Sequence, residues 1–277
     1  MAKIPFIVTG ASGSIGSEAT RGILLKGKPV IMAVRNIAKA EPIKAQLESE
    51  IPGCNVSIMK LDLSSFESVV NFVDNLKTNG ITPCGLLNNA ATLNRDYSIT
   101  KDGLETTVQT NYAAVYLLTR MLMPIMTEQA NIVNTVSVTR KIAKMDEKFF
   151  EKGADEYSQL GTYSTTKFAL LMFTGELIKR YGDKFRINAT DPGVVNSNMI
   201  SMHRWFDPLA DIFFRPFIKS PRQGAMPAIN ASFATQSGDL YRKNSHTSLF
   251  SQYEEHPLAS WLWDKTENLL TDKKLKF

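Results

Sequence analysis

The stretch TGASGSIG, residues 9–16, follows the short apolar run FIV. Its glycines, Gly10, Gly13 and Gly16, stand three residues apart, and apolar residues then recur at helical spacing. This order predicts a buried strand, a glycine-rich turn and a helix that begins at the turn. A strand that passes into a helix in this way favours a parallel α/β sheet.

The rest of the chain alternates in the same way between short β-rich runs and stretches of helical length. Strands that are apolar throughout and separated by helices favour a parallel sheet covered on both faces. We therefore expect an α/β fold with a doubly wound, mostly parallel sheet, in a single domain spanning residues 1–277. The predicted strands are 6–9, 30–34, 56–61, 85–89, 132–137 and 186–190, and the predicted helices are 14–26, 38–50, 66–78, 101–127 and 163–181.

The composition is that of a soluble globular protein, with 43% hydrophobic and 21% charged residues. The net charge of +5 comes from scattered lysines, which favours anionic small molecules over nucleic acid as partners. Cys54 and Cys84 match no metal-ligand spacing and suit a reducing compartment. With no room for a signal peptide and no apolar run long enough to span a membrane, we expect a cytoplasmic protein that binds no metal.

The glycine turn has the sequence context of a dinucleotide-binding loop. Gly10 would permit the tight turn, and Gly16 would allow the helix to pack closely on the strand. A pyrophosphate would then lie at the positive end of the helix. A plain strand-to-helix connection without a ligand is the alternative. The expected pyrophosphate contacts are the backbone amides of Ser12, Gly13, Ser14 and Ile15.

The end of the second predicted strand bears on which dinucleotide binds. A carboxylate there would bind the ribose 2′-hydroxyl of NAD, but AVRN at 33–36 offers Arg35 and no acid before Lys39. An arginine plane can stack on adenine and pair with a 2′-phosphate, with Ser12 and Asn36 as neutral partners. We therefore expect NADP(H), and a solvated surface arginine is the alternative.

The stretch YSTTK, residues 163–167, lies in a predicted helix and places Tyr163 and Lys167 four residues apart on one face. A nearby ammonium and an oxidised nicotinamide ring would stabilise the phenolate and lower the pKa of the tyrosine. Hydride transfer to a carbonyl needs such a group, because a proton must reach the oxygen. The spacing by itself also occurs in ordinary surface pairs.

Together these motifs resemble the short-chain dehydrogenase/reductase family, in the same order and along nearly the whole chain. The resemblance implies a Rossmann-type fold and hydride transfer with a nicotinamide cofactor. Further segments are similar to family motifs: LDL at 61–63, NNAA at 88–91, QTNYAA around Asn111, IVNTVSV at 132–138 and DPGVVNS at 191–197. They add to the expected cofactor site Asp62, Leu63, Asn89, Ala90, Pro192, Gly193 and Val195, beside Tyr163 and Lys167.

The resemblance also implies the catalytic roles. Tyr163 would be the general acid in reduction, and Lys167 would bind the nicotinamide ribose and tune Tyr163. Ser137 would hydrogen-bond the substrate oxygen, and Asn111 would connect Lys167 to solvent through water. The alternatives are that Ser137 only caps a strand and that Asn111 satisfies helix backbone.

Within the family, the chain is most similar to the branch that includes retinol dehydrogenases and protochlorophyllide reductase. The chain departs from the family at Ser14, where glycine is usual, at Ala91, where the motif has glycine, and at Val136, where a second serine is usual. The departures at Ser14 and Ala91 leave the geometry of the cofactor loop open, but they do not affect the expected reaction. The likeness to the branch is carried by AVRN, the insertion at 140–161, KSPRQGAMPAINAS at 219–232, a last strand in SGDLY at 237–241 and LWDKTENLL at 262–270.

The apolar segment at 199–218, within a predicted lid at 197–220, bears on the substrate. Its methionine and aromatic residues recur near helical spacing, which favours an amphipathic lid. The substrate would be a lipophilic carbonyl or alcohol, such as a retinoid, a steroid or a ring ketone. A helix that packs on the core or on a second copy in a homodimer is one alternative, and a membrane-surface helix is another.

Two other functions stay open from the sequence. A nucleotide-sugar epimerase or dehydratase of the extended short-chain type retains NAD and shares the G-x-x-G-x-x-G spacing, but Arg35 and the short chain disfavour it. The other is a dinucleotide-binding sensor without catalysis. The intact set of Ser137, Tyr163 and Lys167 disfavours a sensor, because binding alone needs no tuned phenol.

Overall fold

The computed structural model describes residues 4–195, 219–242, 245–249 and 256–277. Its strands are β1 Phe6–Thr9, β2 Val30–Val34, β3 Val56–Lys60, β4 Gly85–Asn88, β5 Asn131–Thr135, β6 Arg186–Asp191, β7 Asp239–Arg242 and β8 Ser245–Ser248. Within these ranges the strands form one sheet in the order β3-β2-β1-β4-β5-β6-β7-β8. Neighbouring strands are parallel except β7 and β8, which pair antiparallel.

Helices cover both faces of the sheet. The helices are α1 Ser14–Leu25, α2 Ile37–Glu50, α3 Phe66–Thr78, α4 Thr106–Val108, α5 Ala114–Leu122, α6 Gln159–Tyr181, α7 Pro221–Ser232 and α8 Leu258–Asp272. Buried side chains of α1, α2 and α7 form one core with the sheet, and those of α3, α5, α6 and α8 form a second core on the other face. The predicted doubly wound, mostly parallel α/β fold is confirmed.

The order of the strands places a crevice at the carboxyl ends of β1 and β4. From β1 the chain proceeds outward through β2 to β3, then returns to the other side of β1 to form β4. Helix α1 follows β1 on one face, and α5 follows β4 on the opposite face. Ligands of open α/β sheets bind where the connections diverge in this way.

The prediction of one regular helix at 101–127 is wrong in two respects: the helix starts later, and it is interrupted. The helix starts at Thr106, because the buried Glu105 side chain accepts hydrogen bonds from the Thr107 and Val108 amides at 2.9 and 2.8 Å. Between α4 and α5 the segment Gln109–Ala113 is a π-helical turn. Such turns are frequent at functional sites, and this one contains Asn111.

Three other elements differ from the sequence expectation. Helix α6 begins at Gln159, one turn before the predicted start, because the Ser158 hydroxyl caps it by accepting from the Gly161 amide at 3.3 Å. The exposed polar strand β8 carries no apolar alternation that could have predicted it. The predicted insertion at 140–161 contains two 3₁₀ turns, Val138–Ile142 and Ala154–Glu156, and it buries Phe149.

Helix α8 packs against α5 and α6 through an aromatic cluster. Trp263 is buried and lies edge-on to Tyr116, with the ring centroids 5.1 Å apart. The Arg120 guanidinium lies 4.9 Å from the centroid of the Trp263 ring and 5.4 Å from that of Phe277. It also bonds the Glu267 carboxylate at 2.6 Å. The arginine thus joins α5 to the C-terminal helix by cation–π contacts and one ion pair.

We expect Arg120→Ala to lower the free energy of unfolding by about 2 kcal/mol, since several aromatic faces lose their cation and Glu267 its partner. Glu267→Gln, which removes only a partly exposed ion pair, should cost less than about 1 kcal/mol. Urea denaturation followed by tryptophan fluorescence measures both values. Equal stability of Arg120→Ala and the parent protein would show that α8 docks without this arginine.

Candidate active site

The glycine turn after β1 is shaped by close contacts between backbones. Gly10 has a φ of +64°, and its amide donates to the Ala33 carbonyl at 2.9 Å. A Cβ at Gly16 would lie 2.3 Å from the Gly10 carbonyl oxygen, so only glycine fits there. Gly13 has an ordinary negative φ and is exposed at the start of α1. Gly10 and Gly16 therefore have the geometric roles that the sequence predicted for them.

The N-terminus of α1 is open to a ligand. Gly13 is its N-cap residue, and no side chain caps the helix or places an acid in the first turn. Ser12, Ser14 and Ile15 are all partly exposed there. The predicted Gly13 amide already donates to the Gly10 carbonyl at 3.0 Å. The other amides at this positive helix end suit a pyrophosphate, and the turn fits a dinucleotide because a side chain at Gly16 would displace it.

The end of β4 is tied to the same turn by side-chain amides and hydroxyls. The Asn89 side chain donates to the Thr9 carbonyl at 2.9 Å. The Thr9 hydroxyl accepts from the amides of Asn89 and Ala90, both at 3.0 Å. Ala90 packs against Gly10, where a Cβ would lie 2.9 Å from the Ala90 Cα. The predicted residues Asn89 and Ala90 thus form one wall of the crevice beside Gly10.

The carboxyl ends of β2 and β3 bring two cations together. Arg35 is exposed just beyond β2, and the Lys60 ammonium at the end of β3 donates to the Arg35 carbonyl. The Asn36 carboxamide oxygen is occupied as the cap of α2, accepting from the Lys39 amide at 3.0 Å. The spacing of residues gave no sign of Lys60, since only strand pairing brings it beside Arg35.

Asp62 and Leu63 lie in the turn between β3 and α3. The Asp62 carboxylate accepts from the Ser64 amide at 3.0 Å and from the Ser64 hydroxyl at 2.7 Å. This local turn leaves Asp62 partly exposed. Leu63 is buried in the core, so its side chain faces away from solvent and only its backbone is available to a cofactor.

Tyr163 and Lys167 lie one helical turn apart on α6 and point at the ends of β5 and β6. The Lys167 ammonium is 2% exposed and donates to the Thr135 carbonyl at 2.8 Å. It lies 5.7 Å from the centroid of the Tyr163 ring. The Tyr163 hydroxyl lies close enough to the Ser137 hydroxyl for that group to act on the pKa of the phenol. The structure therefore brings together three of the four predicted catalytic residues.

Burial has the largest effect on the pKa of Tyr163 and on that of Lys167. Desolvation raises the pKa of the Tyr163 phenol to about 12, against the lowering effect of the Ser137 hydrogen bond. Desolvation lowers the pKa of the Lys167 ammonium to about 8, while the Asp191 carboxylate acts to raise it. At neutral pH the phenol is therefore protonated and the ammonium charged.

Ser137 stands two residues beyond β5, at the start of a 3₁₀ turn. Its hydroxyl accepts from the Thr139 amide at 3.3 Å and the Thr139 hydroxyl at 3.1 Å. Its carbonyl accepts from the Arg140 guanidinium at 2.7 Å. The same guanidinium nitrogen bonds Asp191, the last residue of β6, at 2.8 Å. Arg140 and Asp191 were not among the predicted site residues.

Asn111 occupies the π turn, with its side chain fully buried. Its carboxamide accepts from the Thr92 amide at 2.7 Å and donates to the Thr92 carbonyl at 2.9 Å. A weaker bond joins it to the Thr166 hydroxyl at 3.3 Å. The side chain thus braces the loop after β4 against α6, and the described contacts do not join it to Lys167.

The turn after β6 completes the crevice. Gly193 has a φ of +75°, and its amide donates to Asp191 at 3.0 Å. The Pro192 carbonyl accepts from the Lys219 ammonium at 2.9 Å, and Val195 forms a parallel bridge with Lys219. Pro192, Gly193 and Val195 thus lie next to the catalytic group. The predicted lid at 197–220 lies outside the described residues except for its last two.

The described part of the chain carries neither a metal-binding cluster nor a membrane-spanning helix. Within it, the acidic, histidine and cysteine side chains form no cluster of three that could hold a metal ion. None of its helices is long and apolar enough to cross a membrane.

Comparison with known proteins identifies the family. The family model for short chain dehydrogenase matches residues 5–205. The chain belongs to the short-chain dehydrogenase family. It is 30% identical over 272 residues to retinol dehydrogenase 12 from Bos taurus, covering 95% of this chain and 85% of that protein. It is 28% identical over 281 residues to the WW domain-containing oxidoreductase from Homo sapiens, covering 96% of this chain and 68% of that protein.

Solved structures agree on the fold. An uncharacterised protein from Mycobacterium paratuberculosis matches with a TM-score of 0.74 and 26% identity, covering 97% of this chain and 93% of that one. A protein described as a short chain dehydrogenase from Escherichia coli CFT073, complexed with NADPH, matches with a TM-score of 0.66 and 20% identity, covering 88% and 98%. The resemblance to this family and to its retinol dehydrogenase-like branch is confirmed. The chain is an oxidoreductase of a family that acts on small molecules.

Lys167→Met should stabilise the fold at neutral pH while it removes activity. Below pH 8 the ammonium is charged in both the folded and the unfolded chain, and its burial costs free energy in full. The cost is lost as the pH rises from the folded pKa of about 8 to the usual 10.5. We expect a gain of about 1 to 3 kcal/mol at pH 7 and less than about 1 kcal/mol at pH 10.

Urea denaturation at the two pH values measures this gain. Lys179→Met is the matched control, because Lys179 lies on the same helix and is half exposed. The control should change the free energy of unfolding by less than about 0.5 kcal/mol at either pH. A loss of stability in Lys167→Met at pH 7 would contradict the argument from burial.

Proposed function

We propose that this protein is an NADP(H)-dependent oxidoreductase that transfers a hydride between the nicotinamide ring and a carbonyl or alcohol. The observation that carries the proposal is the placement of Tyr163 close to the Ser137 hydroxyl, with the buried Lys167 ammonium one turn away. The group lies where the ends of β5 and β6 meet, in the same crevice as the glycine turn. When bound, the cofactor supplies or accepts the hydride.

Tyr163 is the proton donor of the reduction. Its phenol is protonated at neutral pH because burial raises the pKa to about 12, so it has a proton to give to the substrate oxygen as that oxygen gains charge. The Lys167 ammonium near its ring favours the phenolate that is left behind. In the oxidation direction the same phenolate must accept the proton from the alcohol.

Ser137 and Asn111 hold the reacting geometry. The Ser137 hydroxyl lies near the Tyr163 hydroxyl, so both can meet one substrate oxygen and stabilise its developing charge. The Asn111 side chain is committed to Thr92 and Thr166. We therefore assign any water link toward Lys167 to the carbonyl groups of the π turn, whose hydrogen bonds are displaced from the helical pattern.

Arg35 and Lys60 support a preference for NADP(H) over NAD(H). Both are exposed cations at the carboxyl ends of β2 and β3, where the adenosine ribose binds in folds of this type. Neither forms an ion pair among the described residues, so both are available to a 2′-phosphate. A carboxylate that would bind the ribose hydroxyl of NAD is missing from residues 30–39.

The substrate that we propose is lipophilic. The support comes from the relative named retinol dehydrogenase 12 and from the methionine and aromatic residues of the segment at 199–218. Val195 and Lys219, which flank this part of the chain, form a bridge beside the Pro192–Gly193 turn.

Turnover tests the reaction directly. Purified protein should oxidise NADPH in the presence of retinoid, steroid or ring carbonyls faster than with small aliphatic aldehydes. Tyr163→Phe should lower kcat at least about 100-fold, because the proton donor is lost, and leave NADPH affinity within about threefold. Tyr181→Phe, at the far end of the same helix, is the control and should keep full activity. Equal activity of Tyr163→Phe would rule out this mechanism.

Cofactor preference is tested by calorimetric titration with NADPH and NADH. Arg35→Ala should weaken NADPH binding about 10- to 100-fold, and Lys60→Ala about threefold to tenfold, since each removes a partner of the 2′-phosphate. Binding of NADH should change less than about twofold. Lys77→Ala, an exposed lysine on α3 paired with Asp74, should change neither affinity. If the parent protein bound NADH more tightly than NADPH, the role of Arg35 would be wrong.

A further inference from the structure

A buried ion pair joins the two strand ends that carry the catalytic group. The Arg140 guanidinium and the Asp191 carboxylate are 2.8 Å apart, and their side chains are 3% and 5% exposed. The guanidinium nitrogen that bonds Asp191 also donates to the Ser137 carbonyl at 2.7 Å. The other Asp191 oxygen accepts from the Gly193 amide at 3.0 Å. One pair of side chains thus fixes the backbone on both sides of the crevice.

Burial of this ion pair is not expected to stabilise the fold. Both ions lose their hydration, and a buried pair often stabilises a fold no better than apolar residues of the same size. The second terminal nitrogen of Arg140 is buried and has no hydrogen-bond partner among the residues that the structure describes. An unsatisfied N–H of a charged group adds a further cost. A role in the reaction explains this free-energy cost better than a role in folding does.

Strand pairing places Asp191 next to the Lys167 ammonium. Lys167 donates to the Thr135 carbonyl, and Thr135 is paired with Thr190, the residue before Asp191. The Val136 amide bonds the Thr190 carbonyl at 2.8 Å, which holds the two strand ends together. Asp191 is therefore near enough to Lys167 for its carboxylate to act on the charge of the ammonium.

The charges around Lys167 come from four elements. Tyr163 lies on α6 itself, Arg140 on the 3₁₀ turn after β5, and Asp191 at the end of β6. Arg242 on β7 approaches the Asp191 carboxylate to 3.7 Å, and Lys219 lies beyond it on the Pro192 carbonyl. Among these groups Asp191 is the carboxylate, and it acts to raise the pKa of both Lys167 and Tyr163.

We propose that Arg140 and Asp191 are positioning residues: the pair locks the Ser137 segment to the Pro192–Gly193 turn and sets the net charge that faces Lys167. The inference rests on the proposed function for what Lys167 does, but the charge effect exists without substrate or cofactor. Removing either member of the pair changes that charge in opposite directions. Asp191→Asn leaves the positive charge of Arg140 without its partner, whereas Arg140→Gln leaves the negative charge of Asp191 without its partner.

The test is the titration of the Lys167 amine by NMR, in protein with ¹⁵N-labelled lysine and without cofactor. Lys167→Met identifies the signal. Asp191→Asn should move the midpoint of Lys167 to lower pH, and Arg140→Gln should move it to higher pH. Asp239→Asn is the matched control: this nearly buried carboxylate begins β7, three residues before the residue paired with Asp191, and it lies 2.9 Å from His246. The control should leave the midpoint unchanged.

Kinetics supplies the second readout. Both variants of the pair should lower kcat about tenfold or more, because the Ser137 backbone is no longer fixed, with KM for the carbonyl changed less than about threefold. Arg140→Lys, which keeps the charge, should leave the Lys167 midpoint near its original value while kcat falls. This variant keeps the test valid if Arg140→Gln fails to fold.

A purely structural role predicts a different pattern. The variants of the pair would then lose stability to a similar degree, and the Lys167 midpoint would stay where it is or move in one direction in both. Either result would overturn the proposal. An inactive parent protein with opposite midpoint shifts would instead contradict the proposed function and leave the electrostatic role of the pair standing.

Discussion

The burial of the Lys167 ammonium against the Thr135 carbonyl is the interaction on which the rest of the site depends. A charged amine at 2% exposure is tolerated only where a good acceptor and a nearby anion offset its desolvation. Thr135 supplies the acceptor at the end of β5, and Asp191 supplies the anion at the end of β6. Because α6 is held to β5 by this bond, Tyr163 one turn earlier reaches Ser137 just beyond the same strand.

Polar contacts, rather than apolar packing, tie the cofactor end to the catalytic end. The buried Asn88 side chain donates to Thr119 on α5 and to Asn134 on β5, at 3.0 and 2.8 Å, and Asn134 donates to Thr174 on α6 at 2.9 Å. This chain of bonds joins the end of β4 to β5, α5 and α6, and bonds between buried polar groups strengthen one another. The strand that ends beside the glycine turn and the helix that carries Tyr163 are therefore joined by one network within the described part of the molecule.

The sequence predicted those features that depend on local spacing. The glycine turn after β1 and the pair Tyr163–Lys167 follow from strand-to-helix context and from the four-residue repeat of a helix face. The alternation of strands and helices predicted the doubly wound sheet, and the family motifs predicted Ser137 near Tyr163. The structure shows each of these groups at the crevice.

Features that depend on pairing between distant strands could not be predicted. Arg140 lies in what the sequence presents as a polar insertion, and its partner Asp191 is 51 residues away. Lys60 reaches Arg35 only through the register of β2 and β3. The π turn at Gln109–Ala113 changes the hydrogen bonds of a helix without any glycine or proline to mark it. None of these contacts leaves a periodic pattern in the sequence.

The central claim is that one crevice holds the dinucleotide and the catalytic group. A crystal structure of the protein with NADP⁺ tests it most directly. The claim predicts the pyrophosphate on the amides at the start of α1, the 2′-phosphate between Arg35 and Lys60, and the nicotinamide ribose within hydrogen-bond distance of Lys167. A dinucleotide bound elsewhere, or with its adenosine away from Arg35 and Lys60, would contradict it.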